Sequence, residues 1–264
     1  MEKTVDTILP LSSATSTAPL PARDTERPNP TRTEITVFLG EFIGTFMFLF
    51  MAFAGTQIAI TSATVNPDVA AGLNPAQEVS KLLYISFAFG AALAVNVAIF
   101  ADVSGAMFNP AITSSLLLLS KISPIRAVHA AIAQILAGMC AAFAISALLP
   151  GTLPSATKLD PTMSIARGLF LELFLTAQLV LAILMIPNSL GKPAMVGLAL
   201  FVAEVCGVYY TGGGLNPARS FGPSVVVGFT NYHWIYWVGP VVGGALGAGV
   251  FKMVDAVKPH REIA

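Results

Sequence analysis

Six apolar runs long enough to cross a bilayer, interrupted by two of half that length, leave this chain few ways to fold. The long runs fall at about 35–60, 80–101, 124–148, 162–186, 193–210 and 232–256. Backbone in hydrocarbon must satisfy its own polar groups, so each is expected to be a helix. The fifth is marginal in length and is expected to borrow from the loop that follows it. Composition agrees: the chain is 55% hydrophobic and 11% charged, where a soluble domain averages about 25% charged. Formal net charge is zero, so nothing draws the chain as a whole to nucleic acid.

The short runs begin alike. One opens Asn109-Pro110-Ala111 and the other Asn216-Pro217-Ala218. Asn is a favoured N-cap and Pro a favoured first helical residue. Each follows small residues, Ser104-Gly105-Ala106 and Gly212-Gly213-Gly214. From Pro110 to Lys121 there is room for roughly 15 Å of helix, about half a hydrocarbon core. The halves repeat, since Glu41 with Thr45 matches Glu172 with Thr176. An odd number of spans per half inverts the second copy, so the two short helices enter from opposite faces and meet near the midplane. The expected fold is an all-α membrane protein of six transmembrane helices plus two re-entrant half-helices in an inverted repeat.

These expectations assign chemistry. As caps, Asn109 and Asn216 accept a backbone N–H through oxygen and keep the amide NH2 free to donate into a lumen. Each half-helix adds the positive end of its dipole, worth about half a charge. The preceding backbone, Gly105, Ala106, Met107 and Phe108 in one half and Gly212, Gly213, Gly214 and Leu215 in the other, is non-helical at membrane depth. Such backbone is tolerated where it lines water or is buried in protein, and its carbonyls would form a ladder of acceptors. Arg219 is a lone cation in an apolar region and is read as functional. Glu41 and Glu172 are intramembrane carboxylates, either a proton relay or acceptors for loop N–H groups. Gln134 is expected to support them. His129, His233 and His260 show no metal-ligand spacing, and no cofactor or metal is expected. No nucleophile–base pair or phosphate loop suggests an enzyme.

The rest is read as framework. Residues 1–33 form a Ser-, Thr- and Pro-rich tail, expected to be disordered and cytoplasmic, with a gating or phosphorylation role as the sharper alternative. No cleavable signal peptide is visible. Residues 34–256 make the membrane domain and 257–264 a short cytoplasmic tail. An inside N-terminus places Lys3, Arg23, Arg27, Arg32, Lys121, Arg126, Lys192, Lys252, Lys258 and Arg261 in the cytoplasm. It leaves only Lys81, Lys158, Arg167 and Arg219 outside or buried. Cys140 and Cys206 lie in apolar segments and are expected to be reduced and buried. Small residues every fourth position (Gly40 and Gly44; Ala130, Gly138 and Ala142; Gly239, Gly243 and Gly247) are expected to let helices pack closely. Asn74-Pro75-Ala76, a third copy of the tripeptide, sits in a polar loop and reads as an ordinary helix start.

Taken in order, these motifs resemble the aquaporins, the major intrinsic protein family. The markers are the two Asn-Pro-Ala motifs, Arg219 after the second, Glu41-x-x-Gly44-Thr45-Phe46, Tyr209-x-Thr211-Gly212, Ser220-Phe221-Gly222-Pro223 and Trp234-x-Tyr236-Trp237-x-Gly239-Pro240. The resemblance covers about Thr33 to Phe251. It implies a passive channel for water that excludes protons and ions, a homotetramer with one pore per subunit, and a plasma or internal membrane with both termini cytoplasmic. It also implies a selectivity filter of Phe89, Glu204, Gly213 and Arg219. Strict water channels usually carry His at the Glu204 position. Glu204 is expected to pair with Arg219, either widening the filter toward glycerol, urea or hydrogen peroxide or reaching across to narrow it. Ser220 and Tyr236-Trp237 lean toward the water-channel branch, while Asp102 and Met107 stand where many relatives have His. The competing expectation is a proton-coupled secondary transporter of a small neutral solute, since such proteins also use inverted repeats and broken helices. A membrane scaffold without transport is the third.

Overall fold

The computed structural model describes residues 30–64 and 75–258. Within them lie eight helices: α1 (Pro30–Thr64), α2 (Pro75–Ser104), α3 (Pro110–Leu118), α4 (Pro124–Leu148), α5 (Ile165–Met185), α6 (Lys192–Thr211), α7 (Pro217–Val227) and α8 (Ile235–Val257). All but α3 and α7 are long and apolar enough to cross a membrane. The tail expected over 1–33 lies mostly outside the described residues, but helix already begins at Pro30, a residue suited to the first helical turn. The cap expected at Asn74 also lies outside them, with α2 starting at Pro75.

The fifth span needs no help from its loop. α6 has 20 residues, about 30 Å of helix and enough for the hydrocarbon core. It stops at Gly212, whose φ of 80° is left-handed and closes the C-terminus. The half-helices have 9 and 11 residues, about half a crossing each.

Packing repeats with the sequence. α1 lies on α2 and α4 as α5 lies on α6 and α8, and α2 meets α6 where the halves join. The half-helices are exchanged: α3 packs chiefly on α8, and α7 on α4. Glycines set these approaches. A Cβ on Gly138 of α4 would meet the Ala218 carbonyl oxygen at 2.5 Å, and one on Gly244 of α8 would meet that of Ala111 at 2.9 Å. Gly90 and Gly197 face one another's backbone where α2 crosses α6. Lipid offers no hydrophobic drive between helices, so close backbone contact supplies the packing.

The expectation of buried cysteines is corrected. Cys140 and Cys206 are free but exposed on the outer faces of α4 and α6. An apolar helix in lipid is apolar all round, so a residue's position in such a run does not say which way it faces.

Candidate functional site

The two half-helix tips touch. Asn109 and Asn216 have extended backbones and cap α3 and α7. Asn109 Oδ1 accepts from Ala111 N at 2.8 Å. Asn216 Oδ1 accepts from Ala218 N at 2.9 Å and from Arg219 N at 3.3 Å. Pro110 and Pro217 occupy the first helical turn, and Ala111 and Ala218 are fully buried behind the caps. The amides then cross over. Asn109 Nδ2 donates to Leu215 O at 2.9 Å and Asn216 Nδ2 to Phe108 O at 2.8 Å. This corrects one expectation. Neither NH2 is wholly free for a lumen, since one hydrogen of each is used. The Phe108 and Leu215 carbonyls each accept one of these bonds and keep a second lone pair.

The loops before the caps have one shape. Gly105 and Gly212 have φ of 97° and 80°, Ala106 and Gly213 49° and 62°, and Phe108 and Leu215 52° and 49°. Left-handed backbone at Ala106, Phe108 and Leu215 is strained for residues with a Cβ and must be held by its surroundings. The buried carboxylates hold it. Glu41 Oε1 accepts from Ser104 Oγ at 2.7 Å and Met107 N at 3.0 Å, and its Oε2 from Phe108 N at 2.8 Å and Gln134 Nε2 at 2.8 Å. Glu172 Oε1 accepts from Thr211 Oγ1 at 2.6 Å and Gly214 N at 2.9 Å, and its Oε2 from Leu215 N at 2.7 Å. Gln134 also donates to Thr113 Oγ1 at 2.9 Å, tying α4 to α3.

Toward one mouth stand Phe89, Arg219, Glu204 and Gly213. Arg219 is buried, with its guanidinium 4.7 Å from the Phe89 ring centre and 5.7 Å from that of Phe53. That geometry is a cation–π contact. Its Nη1 donates to Ser155 O at 2.6 Å and its Nη2 to Gly212 O at 3.0 Å. The expected ion pair is not formed: among the described residues no Glu204–Arg219 contact lies within salt-bridge distance. Two backbone carbonyls have taken one donor from each terminal nitrogen instead, and among the described residues Nε has no hydrogen-bond partner. Glu204 is buried, and its Oε2 has no hydrogen-bond partner. The carboxyl lies against Gly213, where an added Cβ would collide with Oε2. Glu204 thus fills the room that a side chain at 213 would need.

Three cavities follow one another through this region. The middle one has a volume of about 20 Å³ and is walled by Phe89, Glu204 and Arg219, both capping asparagines, Gly214, Leu215, Met107 and Phe108. Phe48, Leu93, Ile112, Leu179 and Leu200 complete its wall. Met107 and Ile112 also line a cavity of about 510 Å³ that includes Asp102, Gly105, Ala106, Asn188 and Lys192. Arg219 also lines one of about 290 Å³ with Thr56, Lys81, Ser155, Tyr209 and Gly212. A single water needs roughly 10–15 Å³ of such volume, so the middle holds about one water. Sequence reading missed Ser155, whose carbonyl orients Arg219, and the apolar wall of Leu179 and Leu200. Neither sits in a motif.

An inverted repeat whose exchanged half-helices abut inside six spans is a multi-pass integral membrane protein of the re-entrant-helix class. Comparison with known proteins agrees. The family model described as Major intrinsic protein matches residues 31–251. Aquaporin-2 of Botryotinia fuckeliana is 49% identical over 223 residues, 82% of this chain and 58% of that protein. Aquaporin-7 of the same fungus is 46% identical over 238 residues, 87% of this chain and 52% of that one. The chain thus spans little more than half the length of these relatives. The X-ray structure of the aquaglyceroporin from Plasmodium falciparum superposes with a TM-score of 0.70 at 25% identity, covering 85% of this chain and 96% of that one. The chain belongs to the major intrinsic protein family, a family of channel proteins and not of enzymes.

Proposed function

We propose that this chain is a passive transmembrane channel for water and solutes of similar size. One observation carries the reading: two wide cavities lie on either side of a constriction of about 20 Å³, sharing walls with it at Met107, Ile112 and Arg219, where the half-helix caps meet. The constriction has polar groups at the asparagine pair and at the arginine, with apolar wall between. A passing water accepts from the remaining amide hydrogens and so turns its own hydrogens outward, which breaks proton relay. The positive helix ends and Arg219 repel cations. This is the exclusion logic known for aquaporin-type pores.

Glu204 narrows the filter in this reading, because it fills the gap left by Gly213 and does not draw back onto Arg219. Water and hydrogen peroxide pass, and glycerol and urea pass slowly. Glu41 and Glu172 are positioning residues, held by four and three donors respectively. A carboxylate so tied is poorly suited to the alternating access that a proton-coupled transporter needs. The chain works as a homotetramer in the plasma membrane with both termini cytoplasmic.

The test is osmotic swelling of proteoliposomes, with water, glycerol and hydrogen peroxide measured in parallel. The expected result is fast water flow, low activation energy and indifference to a proton gradient. Strict proton dependence, or swelling no faster than empty vesicles, would reject the channel.

A further inference from the structure

Met107 occupies the neck of the passage. It lines both the constriction and the cavity of about 510 Å³, and it is 3% exposed. Among the described residues that line these two cavities, it carries the only sulfur. Met47, Met51, Met195 and Met253 are exposed on outer faces, as are Cys140 and Cys206. The position matching Met107 in the second repeat is Gly214, so the thioether stands on one side of the neck only. Its sulfur is little engaged. Thr113 Oγ1 approaches Sδ at 3.6 Å but offers the same proton to Asn109 O at 3.0 Å. A thioether is a weak acceptor and loses that competition.

We propose that Met107 is an oxidation site for hydrogen peroxide travelling through the passage, and that its sulfoxide throttles flow. The inference rests on the channel reading above. The sulfur lone pair attacks one peroxide oxygen and the O–O bond breaks. The attacked oxygen stays on sulfur, and its proton passes to the departing oxygen, which leaves as water. Sulfur is oxidised by two electrons and peroxide reduced by two, with no further reactant. The product is polar and carries a new acceptor. In a space sized for about one water, that oxygen takes up room and holds the water that follows.

The experiment uses the full chain in proteoliposomes, before and after brief peroxide treatment. Water flow is measured, and oxidation is mapped peptide by peptide by mass spectrometry. Oxidation of Met107 with a fall in water permeability of about fivefold is expected, the factor given by one added net hydrogen bond of about 1 kcal/mol. Methionine sulfoxide reductases, applied with the protein in detergent before reconstitution, should restore flow. Met107→Leu should show no peroxide-induced change relative to its own untreated rate, and Met107→Gln, a polar mimic of the sulfoxide, should be slow without peroxide. Oxidation of Met51, Met195 and Met253 with Met107 untouched would overturn the proposal. So would an equal peroxide-induced loss in Met107→Leu. Failure of the channel reading looks different: untreated vesicles would then swell no faster than empty ones, whatever the state of Met107.

Discussion

Replacing Gly138 with Ala tests whether helix contact at a distance sets the geometry of the caps. The new Cβ would lie 2.5 Å from Ala218 O, a backbone atom that cannot rotate away. Ordinary contact begins near 3.4 Å, so Ala218 must retreat by about 0.9 Å. Ala218 follows the Asn216 cap, whose Nδ2 reaches Phe108 O at 2.8 Å. A retreat of that size along the bond carries it out of hydrogen-bond range. Overpacking costs about 1–3 kcal/mol, and the lost bond adds about 0.5–1.5 kcal/mol. If about 1.4 kcal/mol of that strain is expressed at the constriction, passage slows about tenfold. Gly244→Ala is the internal control. Its new Cβ meets first the Ser115 hydroxyl, which rotates, and then Ala111 O at 2.9 Å, so its effect should be smaller. Stopped-flow shrinkage of vesicles matched for protein content reads the rate, and the thermal midpoint in detergent reads the stability. A Gly138→Ala protein as fast and as stable as the parent would refute the reasoning, as would a Gly244→Ala protein that is the worse of the two.

Asn216→Asp loses the donor to Phe108 O and sets a negative charge beside positive helix ends worth about half a charge each. Cation leakage through vesicles should rise, and unchanged leakage counts against the dipole argument. Glu204→His should change the ratio of water to glycerol permeability; a ratio that does not move removes Glu204 from the filter. Glu172→Gln leaves at least one N–H of Gly214 or Leu215 without an acceptor, at about 1–3 kcal/mol. The thermal midpoint should drop, and an unchanged midpoint would show that the carboxylate is not holding the loop. Burial pushes the His233 imidazole below the ordinary histidine range. The unfolded chain therefore binds that proton first as pH falls. The stability involved is whole above about pH 6.5 and is lost as pH drops toward the lower folded value. Midpoints taken between about pH 7.5 and 5 should fall, and fall less in His233→Gln.

The spans and half-helices were legible because lipid imposes length and Asn-Pro imposes a helix start. α6 ends at Thr211 because Gly212 turns left-handed, which a hydropathy window does not see. The loop carboxylates were legible as a pair, since Glu41 and Glu172 recur in register. The partners of Arg219 were not. Two of its donors go to Ser155 O and Gly212 O, and carbonyls carry no side-chain signature. The facing of Cys140 and Cys206 was hidden for another reason: hydrophobic residues suit both lipid and protein interior.

The crossed amide bonds belong to neither half of the chain. When the ribosome has delivered α3 to the membrane, Asn109 still lacks Leu215, about a hundred residues away. The first tip must therefore wait, its loop braced by Glu41, until the second arrives from the opposite face. The junction is therefore a late, long-range contact, and a chain halted before residue 215 cannot form it.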